Sequence, residues 1–415
     1  MLRLMCFTGL GFSWVLAAAP LLGQGPDSTA SDSPGGGAAQ TSGAAASPGS
    51  DSTPSSEVAQ TKPNVLETAL PGVKISGYAE ASYIYSNAAL SGGPVVGRSF
   101  DRLPEFALNV VKLVLDKPFA TDRWNAGFHI DLLFGQNATL LQSAGLKLGD
   151  QGDLEQAFVT LNIPTGNGNG LQFKAGKWVT LMGVEVIEDV FNPNWSEGNQ
   201  FLYVENFTGT GIEAGYKWNK YLDTQFRVYN GWDVVKDNNT RKSFMGRLGI
   251  APDGNTLVAI VGYLGPEQAA NNDADRKGLN VVMNRKFGSK VSAWGQLDYG
   301  KEDANAALPD PTKNATWWAV GGWLIYDFSA KAGLALRGDY LDDKDGARTS
   351  GSPVTAPFPT NTGNKMSTGT ATLNIRAWEG MLVRPEIRYD HSTIADAFGK
   401  KSDQVTFGLS AAYIF

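Results

Sequence analysis

The final thirteen residues, Asp403 to Phe415, constrain the fold more than any other stretch of the chain. Val405, Phe407, Leu409, Ala411, Tyr413 and Phe415 fall on one face, and Gln404, Thr406, Gly408, Ser410 and Ala412 fall on the other. Successive side chains leave a strand in opposite directions, so strict alternation means an extended segment with one apolar and one polar side. A soluble sandwich shares this pattern. A carboxy-terminal aromatic residue on the apolar face instead suits a transmembrane barrel, with lipid outside, water inside and the terminus in the interfacial aromatic belt.

Composition agrees. Charged residues make up 18% of the 415, below the roughly 25% of soluble domains, while glycine (49) and aromatics (11%) are abundant. The formal net charge of −6 opposes nucleic-acid binding, which calls for a basic surface. Arg3 followed by an apolar stretch from Leu4 to about Leu22 reads as a secretory signal over residues 1–24, with cleavage after Ala17-Ala18-Ala19 or near Gly23 to Gly25. The single cysteine, Cys6, lies inside it. The remainder has no thiol for a disulfide, a cysteine metal site or a cysteine nucleophile. No later apolar run reaches eighteen residues, which excludes helical spans. Residues 25–72, rich in Ser, Gly, Ala, Pro and Thr, cannot bury enough apolar surface to fold and predict a disordered periplasmic linker. Pro63 to Pro71 is expected to form one helical turn.

From residue 73 to 415 the alternation predicts an antiparallel transmembrane β-barrel of about sixteen strands, with fourteen to eighteen compatible. Short connections such as 117–122, 219–220, 288–289 and 329–330 alternate with long ones. Short turns on one rim and long loops on the other are the bacterial outer-membrane pattern, with both termini on the short-turn, periplasmic side. Sixteen strands enclose water, whereas eight would be filled by side chains. Aromatics gather at strand ends: Trp232, Tyr263 and Tyr389 at the outer rim, and Trp218, Tyr413 and Phe415 at the inner rim. Two such girdles match the two headgroup layers.

The longest connection, Leu181 to Asn206, holds Glu185, Glu188, Asp189, Glu197 and Glu205 and no Lys or Arg. It is the third long loop, and its apolar anchors Phe191, Trp195 and Phe201 predict that it folds into the lumen and narrows it. A solvated surface loop is the plainer alternative. Strand parity turns Arg384, Arg388, Arg337, Arg227, Arg247 and Lys174 inward, because a charge on the lipid face costs about 2–4 kcal/mol near mid-bilayer. Facing acids and bases would set a transverse field, as rings of charge do in pores. Structural pairing within the wall is the alternative reading of the same arginines. Chemistry of other kinds finds little support. The two histidines, His129 and His391, have no serine placed to complete a nucleophilic set. Asp343, Asp345 and Gly346 resemble part of a calcium loop, but Leu341 and Ser352 stand where ligands are required. No phosphate loop or zinc signature occurs, so no cofactor, no metal and no enzymatic activity are expected.

Particular stretches carry a family resemblance. They are Ile75-Ser76-Gly77-Tyr78, Asp131-Leu132-Leu133-Phe134-Gly135, Ala175-Gly176-Lys177-Trp178 with Gly183-Val184-Glu185-Val186-Ile187-Glu188, Asn230-Gly231-Trp232-Asp233, Gly265-Pro266-Glu267 and Arg388-Tyr389-Asp390-His391-Ser392. Through them the chain resembles the OmpL-like β-barrel porins over nearly all of residues 73–415. The resemblance implies a bacterial outer-membrane barrel acting as a passive channel, and it assigns no solute. The expectation is therefore a porin passing small hydrophilic solutes or ions through a lumen narrowed by the acidic loop, with mild cation preference. Expected partners are outer-membrane lipid, two further copies in a homotrimer, and the outer-membrane assembly machinery acting on the Phe415 strand. The alternatives are a barrel sheathing a periplasmic partner such as an electron-transfer protein, or a surface adhesin.

Overall fold

The computed structural model describes residues 66–67, 71–88, 95–100, 104–166, 169–305, 308, 310–350, 358 and 362–415. After a two-residue strand β1 (Leu66–Glu67), sixteen longer strands follow. They are β2 (Lys74–Ser86), β3 (Phe106–Lys117), β4 (Asn125–Phe134), β5 (Gly152–Pro164), β6 (Gly170–Val179), β7 (Thr208–Lys217), β8 (Leu222–Tyr229) and β9 (Ser243–Asp253). Then come β10 (Thr256–Pro266), β11 (Asp275–Phe287), β12 (Val291–Glu302), β13 (Ala315–Ser329), β14 (Ala332–Asp343), β15 (Asn364–Trp378), β16 (Met381–Ser392) and β17 (Asp403–Ile414). Each of β2 to β17 pairs antiparallel with its sequence neighbours. β17 closes the ring on β2, from Thr406 opposite Ser86 to Ile414 opposite Tyr78. Closure pairs every strand edge, the condition for a sheet to stand in hydrocarbon.

Phe415 prolongs the seam. Its N–H donates to the Gly77 carbonyl and its carbonyl accepts the Gly77 N–H, both at 2.9 Å. A Cβ at Gly77 would overlap the Lys112 carbonyl oxygen and touch the Phe415 ring, so this crossing needs glycine. Beyond the seam, Ile75 and Lys74 pair with Leu66 and Glu67. These two residues are extended, which corrects the helical turn expected over Pro63–Pro71. The end of β2 offers backbone groups that β17 does not reach, and an extended segment satisfies them. The expected signal, and nearly all of the expected linker, lie outside the described residues.

Burial follows the alternation. In β13, Trp317, Ala319, Trp323 and Ile325 are buried, while Trp318, Val320, Leu324 and Tyr326 are exposed on the outer face. In β17 the exposed set is Phe407, Leu409 and Tyr413. No helix among the described residues is long and apolar enough to cross a membrane. The connections alternate, with turns such as 254–255 and 330–331 on one rim and loops such as 135–151, 180–207 and 344–363 on the other. The loops interlock: Ala144 in the second bridges to Val234 in the fourth.

Candidate functional site

The connection between β6 and β7 leaves the wall and returns to it at one point. The Thr180 N–H donates to the Phe207 carbonyl at 2.9 Å, and the Thr180 hydroxyl donates to Asn206 Oδ1 at 2.7 Å. Between these ends the loop braces itself. The Val186 N–H donates to Asn192 Oδ1 and Asn192 Nδ2 returns to the Val186 carbonyl, each at 2.8 Å. The Gly198 N–H donates to Glu185 Oε2 at 2.7 Å.

This braced loop crosses the lumen to the far wall. On β16, Glu386 accepts the N–H groups of Trp195 (2.9 Å) and Ser196 (3.1 Å). On β15, Asn194 Nδ2 donates to Thr372 Oγ1 at 2.7 Å and Asn374 Nδ2 donates to the Pro193 carbonyl at 2.9 Å. Nearer the neck, the Val184 N–H reaches Gln296 Oε1 on β12 at 2.7 Å, and Gln200 Nε2 reaches Asp298 at 2.7 Å. Val184 and Val186 pack with Ala259, Val282, Trp294 and Trp323 of the inner wall. The Trp195 ring lies where a Cβ on Gly408 of β17 would stand, so the small residue makes room for the anchor.

The loop side chains Glu185, Glu188 and Asp189 contact wall cations directly. Glu185 accepts from Arg337 Nη1 at 2.6 Å. Glu188 pairs with Lys112, and Asp189 pairs with Arg384. Glu205 accepts from Gln296 Nε2 at 2.8 Å, and at Glu197 it is the backbone carbonyl that receives Arg388 Nη1, at 2.6 Å. All five acidic residues are buried, as are Arg337, Arg384 and Arg388. The transverse arrangement expected from sequence, acids and bases facing across a gap, is here a set of direct contacts. Burial beside Glu80 pushes the Asp189 carboxyl well above its usual range, against the opposing pull of Arg384.

The wall supplies carboxylates of its own. Lys112 also pairs with Asp131 (2.9 Å) and Glu155 (3.0 Å), Arg384 with Glu80 (2.9 Å), and Arg337 with Asp339 (3.4 Å). Register shifts occur at Glu80/Ala81 and Asp131/Leu132, and such bulges re-aim the side chains beside them. Asp131, Glu155 and Glu188 lie close enough together to hold a metal ion, but the Lys112 ammonium contacts all three and takes the place of the cation. Glu80 and Glu155 were not singled out from sequence. Strand parity alone turns Glu80 inward, whereas Glu155, which parity would turn to lipid beside Val159 and Leu161, is brought inward by the bulge opposite Asp131/Leu132. Arg98 was also missed, because it sits in a loop without periodicity; it donates to Ser196 Oγ at 3.2 Å and to Thr406.

The other basic residues stand apart from the loop. Arg227 and Lys174 share Glu213, Lys174 at 3.5 Å, and Arg247 pairs with Asp223 on the neighbouring strand. Trp218, Tyr389 and Tyr413 are exposed on the outer face, and Phe415 sits at the seam. Trp232 is a correction. It is only 7% exposed and packs edge-on against Tyr263, itself 6% exposed, with centroids 5.1 Å apart. The Arg276 and Arg348 guanidinium groups cover the Trp232 ring at 4.7 and 5.3 Å. The cause is local: β8 ends at Tyr229, and Gly231, at φ +127°, turns the chain inward before Trp232.

A closed sixteen-stranded barrel with a long loop seated in its lumen defines the porin class of outer-membrane channel proteins. The family model described as beta-barrel porin-2, OmpL-like (BBP2) matches residues 72–415, and the chain belongs to that family. It is an outer-membrane, multi-pass β-barrel. Among solved structures it is similar to an anion-selective porin from Comamonas acidovorans, with TM-score 0.56 and 11% identity, covering 83% of this chain and 99% of that one. It is also similar to the outer membrane channel DcaP of Acinetobacter baumannii, with TM-score 0.54 and 13% identity, covering 84% and 99%. The trimer form of OmpT from Vibrio cholerae gives TM-score 0.54 and 12% identity, covering 83% and 99%. Identities this low establish likeness of fold alone. No match is found among curated proteins.

Proposed function

We propose that this barrel conducts small hydrophilic solutes and ions by passive diffusion, with mild preference for cations, through a lumen that the acidic loop narrows. The observation that carries the reading is the charge where loop and wall meet. Seven carboxylates (Glu80, Asp131, Glu155, Glu185, Glu188, Asp189 and Asp339) converge on three cations, Lys112, Arg337 and Arg384. Such a surplus raises the local concentration of cations in a narrow, low-dielectric passage. The reading includes removal of residues 1–24 on export, a periplasmic spacer over 25–72, assembly through the Phe415 strand, and no catalytic step. A barrel wrapped around a periplasmic electron carrier would need the lumen that the loop occupies, so the channel is the better fit.

Reversal potentials in a planar bilayer under a potassium chloride gradient test it. The expected sign is that of potassium permeating faster than chloride. A chloride-selective potential would overturn the preference, and absence of any conductance would overturn the channel.

A further inference from the structure

We propose that Lys277 and Lys301, which meet on the outward face of β11 and β12 at the long-loop rim, form a binding site for a phosphate-bearing lipid of the outer leaflet. The inference concerns how the barrel is held in its membrane, and it stands or falls apart from conduction through the lumen.

Parity and register place the two side chains. β11 turns Leu279 to lipid and β12 turns Tyr299 to lipid. Lys277 and Lys301 stand two residues nearer the loops on the same outward faces. Lys277 lies directly opposite Lys301, one row above Leu279 opposite Tyr299. Like charges in opposed positions on neighbouring strands destabilise a sheet. Within the chain a single carboxylate offsets them: Asp303 accepts from Lys277 at 2.6 Å and lies 3.1 Å from Lys301. Two ammonium groups against one carboxylate leave one positive charge uncompensated. The surplus is local, because the nearby rim cations Arg241, Lys242 and Lys365 each have an aspartate of their own, in Asp275, Asp237 and Asp342. Among the described residues, no strand from β2 to β8 turns a lysine or arginine outward at this rim. All three members of the cluster stay partly exposed, and an ion pair in contact with water holds weakly. Asp303 therefore yields to a phosphate, which brings more charge and more acceptor oxygens.

What lies beneath the pair decides between a lipid and a free anion. Leu264 of β10 is paired with Lys277, and Trp318 of β13 is paired with Tyr299. Leu264, Leu279, Tyr299 and Trp318 are all exposed on the outer wall and form an apolar shelf directly below the ammonium groups. Aromatic rings sit at headgroup level and lysines extend from there toward water, so the cluster stands at the depth of lipid phosphates. A ligand with phosphate above and acyl chains below uses both parts of the site. A free anion would use the lysines alone.

Native mass spectrometry of the protein in detergent, titrated with bisphosphorylated lipid A and with its dephosphorylated form, gives the test. The wild type should hold the bisphosphorylated lipid about tenfold more tightly. Lys277→Gln with Lys301→Gln should lose that preference, Lys365→Gln should keep it, and Asp303→Asn, which removes the competitor, should bind more tightly than the wild type. Equal binding by the double variant and the wild type would overturn the site. So would displacement of the lipid by inorganic phosphate at equal concentration, which would make the pair a free-anion site. Binding that is unchanged or weaker in Asp303→Asn would overturn direct pairing of phosphate with the lysines. If the double variant does not fold, acetylation of the wild-type amines reads the same contact: the bisphosphorylated lipid should slow labelling of Lys277 and Lys301, and the dephosphorylated lipid should not. Equal labelling with both lipids would overturn the proposal and leave the channel reading untouched.

Discussion

Glu267 stands just past the end of β10, where it accepts the Trp232 N–H at 2.6 Å and the Ser243 hydroxyl at 2.7 Å. Burial raises its pKa from 4.5 to about 7, with Arg276 pulling the other way. The folded protein therefore holds this proton more tightly than the unfolded chain. The stability it contributes is complete below about 4.5 and is lost as pH rises through about 7. Thermal unfolding in detergent from acid to neutral pH should show that decline, and Glu267→Gln should flatten it; a variant that tracks the wild type would remove Glu267 from the explanation. Glu267 was legible in sequence only as part of a family-like Gly-Pro-Glu stretch. Its contact with Trp232 depends on Gly231 turning the chain inward, and no periodicity announces that turn. The same holds for Arg98, whose partners Ser196 and Thr406 lie far along the chain.

At the scale of elements, the strands were the most legible part of the protein. Sixteen long strands lie between Lys74 and Ile414, the number and span that alternation predicts, because hydrocarbon and water impose a period of two on every one. The ends follow local geometry instead: β8 stops at Tyr229, and Trp232, expected in the outer girdle, turns inward as a result. Leu409 tests the outward face of β17, being half exposed and paired with Tyr83 of β2 across the seam. Leu409→Arg should reduce the unfolding free energy by about 2–4 kcal/mol in urea titrations in phospholipid vesicles. A change under half that size would mean that the position is not near the bilayer centre. The third loop was legible as acidic and apolar-anchored, but its route was not. Asn194 meeting Thr372, or Trp195 covering Gly408, follows from where the opposite wall stands once the ring has closed.

At the scale of the molecule, closure through β2 and β17 makes one continuous outer wall, with apolar side chains such as Phe407, Leu324 and Trp318 turned to lipid. A wall of this kind offers copies of the chain a self-complementary surface for closed, symmetric association, and one structural relative is described in a trimer form. We expect a homotrimer here. Amine cross-linking in native membranes, followed by mass measurement, should give three copies; monomer alone would reject it. The spectrum of the purified protein should be dominated by sheet, and solubility should require detergent.

The sequence by itself determined the strands, the face each presents to lipid and the compartment, because a period of two set against hydrocarbon is a local requirement written into every segment. It also showed which loop is acidic. The tertiary structure alone decided which charges meet. Arg384 finds Glu80 across 304 positions of sequence, and Arg337 finds Glu185 across 152, only because ring closure and the path of one loop bring them together. Pairings over such separations depend on the whole barrel, and no local pattern encodes them.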